Sequence, residues 1–265
     1  MTGSLVIAPR FCGPPGSGNG GYVCGLIAGC LDGTAEVTLR RPPPLQWPLA
    51  VERDDHGSVR VLDGQKLIAE AVVVPGGPHV RLPDPVTIRQ ARAAGARSQL
   101  RMHPELHPFP GCFVCGPDRL PGDGLRICVG PVPGTGLSAD LWFPGEELAD
   151  ASGQIRPEFI WAALDCPGGI GALCEPVPDG APYLLGRLAA RRMGEVIACE
   201  PHVVVGWRLA AEGRKISAGS AVFTARGQAV AVARATWIRL RCPARRPGMP
   251  TAAVSTAHEQ LGAVL

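Results

Sequence analysis

Apolar positions run along this chain in two similar series. In the first, Gly18-Asn19-Gly20-Gly21 opens an apolar stretch of helical length, 22–31. Extended candidates follow at 35–40, 48–53, 58–62 and 67–74, punctuated by the turns Asp32-Gly33, His56-Gly57 and Asp63-Gly64. Much later the order returns. Ile155-Arg156-Pro157-Glu158 opens a second apolar helix, 159–166, with proline where a helix start tolerates it. Strand candidates then fall at 184–191, 195–199, 202–210, 215–224 and 229–240, with turns at Glu212-Gly213 and Arg226-Gly227. Each half predicts a helix followed by an antiparallel meander. A sheet wrapped around one hydrophobic helix is the economical way to bury both.

Residues 76–110 are rich in proline, hold an Arg/Ala helix candidate at 86–100, and read as a linker. Residues 242–265, rich in Pro, Ala and Arg, read as a loosely packed tail. The expected organisation is therefore 1–75, the linker 76–110, 111–241 and the tail 242–265. The 265 residues leave room for two units of about 100–150 each. With 46% hydrophobic and 18% charged residues the chain can bury a sizeable core. Its 35 glycines and 28 prolines show no period, so they read as turns rather than low complexity.

Charge and cysteine usage remove several function classes. The formal net charge is +3, from 24 Arg and 2 Lys (Lys66, Lys215) against 23 acids, without the clustered basic stripe that nucleic acid needs. The longest apolar run near the start, 23–31, is too short to span a bilayer, and no basic stretch followed by an apolar core marks a secretory signal. Ten cysteines in such a chain read as reduced thiols that pack like small hydrophobes. The location expected on these grounds is the cytoplasm.

The second series is preceded by Cys112-Phe113-Val114-Cys115-Gly116-Pro117-Asp118 and then Gly124-Leu125-Arg126-Ile127. A structural zinc needs four ligands, and no second Cys-x-x-Cys or His pair lies at a suitable distance, although His103 and His107 are near. The expectation is packed thiols at the start of a strand, with no disulfide, no metal and no cofactor. Read whole, the segment resembles the opening of hotdog-fold thioesterases of the phenylacetate-pathway type. In that family a His-Gly-Gly motif starts the central helix and an acidic residue follows about two turns along. Here Arg156-Pro157-Glu158 stands at the His-Gly-Gly position and Asp165 at the acidic one; in the first series Asn19-Gly20-Gly21 stands at the former and Ala28 at the latter. The resemblance covers roughly 1–75 and 111–241. It implies an α+β double hotdog, two antiparallel sheets each wrapped around a central helix and joined edge to edge.

What the resemblance implies for function follows from which residues are lost. Thioester hydrolysis needs donors aimed at the oxyanion and a carboxylate that activates water or attacks directly. Asn19, Gly20 and Gly21 at a helix start would supply the donors, and Gly20 and Gly21 would let an acyl carbonyl approach the backbone. Asp165 would supply the acid. Pro157 has no N–H and Ala28 no carboxyl, so the second composite site would be dead, leaving one site per chain. Glu158 is a second candidate acid, and with Tyr22 and Trp161 it is a candidate for substrate binding. The expected function is an acyl-CoA (acyl-thioester) hydrolase whose partner is an acyl-CoA or acyl-carrier-bound substrate. The pattern leaves room for a homodimer of double hotdogs. Structural readings stand beside these: Asn-Gly-Gly is a common turn, Asp165 precedes Cys166-Pro167-Gly168-Gly169 where the helix is expected to end, and Tyr22 and Trp161 suit a core. The alternative function is a non-catalytic double hotdog that binds an acyl chain or a partner.

Overall fold

Both meanders form, and their strands join in one sheet. A computed structural model describes residues 2–173 and 181–240; the expected tail, 242–265, lies outside them. The first series comprises β1 (Thr2–Leu5), α1 (Gly20–Ala28), β2 (Ala35–Leu39), β3 (Leu49–Arg53), β4 (Val59–Asp63) and β5 (Lys66–Val73). Two helices, α2 (Ile88–Ala96) and α3 (Gln99–Met102), lie in the stretch between. The second series comprises β6 (Gly130–Val132), β7 (Leu137–Trp142), α4 (Pro157–Ala172), β8 (Tyr183–Arg192), β9 (His202–Glu212), β10 (Lys215–Thr224) and β11 (Ala229–Arg239).

The strand order is β1-β3-β4-β5-β2-β8-β11-β10-β9-β7-β6, with antiparallel pairing throughout. Read outward from the middle, the halves run β2-β5-β4-β3-β1 and β8-β11-β10-β9-β7. Each helix stands between the outermost strand of its half and the innermost one, so the two series share one topology, and β6 only extends the second edge. The two expected sheets are one continuous sheet, joined at the expected edge-to-edge seam. The first strand after each helix is an edge in its own half, and the two edges close on each other, pairing Ala35 with Ala190, Val37 with Leu188 and Thr38 with Arg187. Joining them removes two exposed ladders of unpaired backbone groups.

Burial explains where the helices sit. In β2 the residues Ala35, Val37 and Leu39 alternate inward. The first six residues of β9, by contrast, are all buried, as expected of a strand covered on both faces. One cover is α4. The other is α2, whose Ala91 and Ala94 pack with Val132, Ala139, Val203, Val205 and Phe223 in a second apolar cluster. A Thr87–Gln90 capping box starts α2.

Three local expectations change. Residues 195–199 form no strand, and Ile197 makes only an isolated bridge to Gln154. Cys112 to Cys115 lie in turns, not at a strand start. Most important for function, the second helix does not end at Cys166 but runs through Pro167 to Ala172. Proline and glycine are poor helix formers, yet this part of α4 is buried against β9 so closely that a Cβ on Gly171 would stand 2.8 Å from the Gly206 Cα. Ser220 Oγ donates 2.6 Å to the Leu164 carbonyl oxygen in the same stretch. Tertiary burial overrides the local breakers.

Candidate active site

The N-terminus of α1 is built by Asn19. This residue is extended (φ −61°, ψ 129°) and caps the helix, its Oδ1 accepting 2.9 Å from the Tyr22 N–H. That bond turns its Nδ2 the other way, where it donates 3.1 Å to Asp165 Oδ2. The Gly21 N–H donates 2.8 Å to the same oxygen. Asp165 comes from α4, as its ninth residue, just as Ala28 is the ninth of α1. The acid of one helix thus meets the N-terminus of the other.

Gly21 and Gly25 make this contact possible. They lie one turn apart on the α1 face that meets α4. A Cβ on Gly21 would come within 2.7 Å of the Trp161 carbonyl oxygen, and one on Gly25 within 2.6 Å of the Glu158 Cα. The space beside Gly21 is therefore filled by the partner helix. The expected room for an acyl carbonyl is not what this glycine provides.

Asp165 is 2% exposed, and among the described residues no donor reaches its Oδ1. Burial pushes its pKa up to about 7, with the neighbouring Cys112 adding to the rise, while the bonds from Gly21 and Asn19 hold it back. Asp165 lies inside α4 rather than at its end, so the helix-end reading of this residue is corrected. Burial, followed by the charge of Asp165, also raises the pKa of the Cys24 thiol nearby.

The remaining candidates divide around α4. A Cβ on Gly20 would meet Leu185 at 2.9 Å. Tyr22 stacks on Phe11 with ring centres 4.1 Å apart and packs against Phe113 and Phe159; burial, followed by the charge of Glu158, raises its pKa to about 12. Glu158 stands in the first turn of α4 with its carboxylate 3.6 Å from Arg156 Nε. Trp161 instead lines a small cleft with Ile160, Leu164, Ala231 and Arg191, to which Tyr22 does not contribute. Asn19, Gly21 and Asp165 meet; Tyr22 and Trp161 fall in different surroundings.

Sequence reasoning missed one neighbour of the site. Cys166, the residue after Asp165, brings a third thiol to Cys112 and Cys115, and the three sulfurs lie within 4.8 Å of one another. The signal was a cysteine adjoining the candidate acid, on a helix with no obvious tie to the Cys-x-x-Cys turn. All three thiols are free of disulfides.

No protein-family model and no curated protein matches the chain. Solved structures do. A conserved protein of unknown function with a hot dog fold from Alicyclobacillus acidocaldarius is similar at TM-score 0.56 and 10% identity, over 91% of this chain and 93% of that one. The tesB protein of Mycobacterium avium subs paratuberculosis is similar at 0.56 and 11% over 91% and 93%. Acyl-CoA thioesterase II TesB2 from Mycobacterium marinum is similar at 0.54 and 15% over 92% and 94%. The chain has the hot dog fold. No described helix is long and apolar enough to cross a membrane.

Proposed function

We propose that the chain is a thioesterase-like hydrolase of acyl-CoA or a carrier-bound acyl thioester, built as a double hotdog with one composite site between α1 and α4. The observation that carries this reading is the pair of bonds from Gly21 N–H (2.8 Å) and Asn19 Nδ2 (3.1 Å) to one oxygen of Asp165. Two donors on Oδ2 fix the carboxylate and leave Oδ1 to take a proton from water. In the first turn of α1, the Gly21 N–H serves Asp165, the Tyr22 N–H serves Asn19 Oδ1, and the Val23 N–H serves the Asn19 carbonyl. The Gly20 N–H, at the positive end of the helix, is then the donor for the thioester oxygen. Water oxygen bonds to the thioester carbon as its proton passes to Asp165. The tetrahedral intermediate then expels the thiolate, which recovers that proton, leaving a carboxylic acid and a free thiol.

A second reading, a non-catalytic double hotdog that binds an acyl group or a partner, is favoured by the burial of Asp165 and by the filled space beside Gly21. A panel of short, medium and aromatic acyl-CoA and acyl-pantetheine thioesters, followed by released thiol, separates the two. Enzyme-dependent thiol release supports the hydrolase; saturable binding without release supports the second reading.

A further inference from the structure

We propose that Cys112, Cys115 and Cys166 bind one thiophilic divalent cation, of the zinc class, through three thiolate ligands. The site lies outside the reaction scheme above and stands on its own geometry; it departs from the expectation of metal-free thiols because Cys166 adds a ligand that spacing along the chain did not offer.

The sulfurs come from two segments far apart in sequence, a turn and the middle of α4, yet they converge in the core. Each residue is buried and each thiol is unoxidised. The Cys112 and Cys166 sulfurs are 3.7 Å apart. Two thiolates on a tetrahedral zinc at about 2.3 Å each stand about 3.8 Å from one another, so this pair already has the spacing of ligands rather than of a disulfide. Cys115 completes a triangle within 4.8 Å. Three thiolates are the soft donor set that selects zinc over magnesium or calcium.

The surroundings are those of a metal-bound thiolate. The Gly116 N–H closes the Cys-x-x-Cys turn on the Cys112 carbonyl at 2.9 Å. Asn19 Nδ2 faces the Cys112 and Cys166 sulfurs at 3.8 and 3.9 Å. His107 Nε2 lies 3.3 Å from the Cys115 sulfur. Its Nδ1 accepts the Phe109 N–H at 3.0 Å, which leaves the ring proton on Nε2. His107 therefore donates to a ligand rather than coordinating, as outer partners of metal sites do, and the fourth position falls to water. Bound there, the ion ties the loop before β6 to α4 one residue from Asp165.

The test is metal content. Full-length protein, purified under reducing conditions with zinc supplied and then desalted, is expected to hold one zinc per chain. Cobalt in its place should give thiolate charge-transfer and tetrahedral d–d absorption. Cys166→Ser should lose the stoichiometry and the charge-transfer intensity, while Cys30→Ser, on an exposed thiol outside the cluster, should keep both. If Cys166→Ser does not fold, stepwise mercurial titration of the native protein should release zinc as these thiols are blocked. Protein that retains no zinc, Cys166→Ser that retains it in full, release that does not follow thiol blocking, or a Cys112–Cys166 disulfide in material trapped without air would each overturn the proposal.

Discussion

Asp165 Oδ2 accepts the Gly21 N–H at 2.8 Å, joining the fully buried middle of one helix to the N-terminus of the other. The bond depends on close approach of the two backbones, which the absence of a side chain at Gly21 permits.

Gly21→Ala should therefore be costly although alanine is the better helix former. The added methyl group meets α4 backbone at 2.7 Å, and such overpacking costs about 1–3 kcal/mol. Chemical denaturation reads the change directly, and an unchanged or raised midpoint would refute tight packing here.

Sequence alone exposed some of this and hid the rest for physical reasons. Strand 215–224 was legible because a nearly uncharged run of strand length lies between the turns Glu212-Gly213 and Arg226-Gly227. The extent of α4 was not, because Pro167-Gly168-Gly169 is a local stop signal and only burial against β9 overrides it. The edge-to-edge junction of the two sheets was expected from the repeat, but which strands meet there, β2 with β8, was not legible because each edge can be read only by itself. β1 and β6 are short and carry Gly or Pro, while β7 turns the polar Ser138 and Asp140 inward, so none shows a clear apolar alternation. The meeting of Asn19 with Asp165 was suggested through family resemblance, since no periodicity links residues so far apart. Cys166 escaped because ligand spacing was sought along the chain rather than across the helix pair.

Ser220→Ala should weaken the later part of α4. Its hydroxyl adds a 2.6 Å bond to the Leu164 carbonyl, inside the helix stretch that Pro167 weakens by leaving the Ala163 carbonyl without its ladder donor. Losing one hydrogen bond of this kind costs about 0.5–1.5 kcal/mol. Thermal melting should fall accordingly, with faster amide exchange along α4; unchanged exchange there would remove the hydroxyl from this role.

Arg101→Met should destabilise the protein in a pH-dependent way. Arg101 Nη2 lies 2.7 Å from Asp140 Oδ2, whose carboxyl is raised in pKa by burial and held back chiefly by this arginine. Because the folded pKa is already raised, the carboxyl contributes stability at low pH that is lost as pH rises through its folded pKa. Removing the arginine raises that pKa further, so the loss should be small near pH 4 and reach about 1–3 kcal/mol at pH 8. A loss that is equal at both values would contradict the pairing.

The most direct measurement is turnover of Asp165→Asn on the best thioester found in the panel, with thermal melting alongside. Asparagine keeps the volume and an acceptor for the Gly21 N–H but cannot take a proton from water, and loss of a general base costs about 10²–10⁴ in rate. The composite site predicts a fall of that size in folded protein, while Glu212→Gln, on the exposed end of β9, stays at the native rate. Undiminished turnover by folded Asp165→Asn would contradict it.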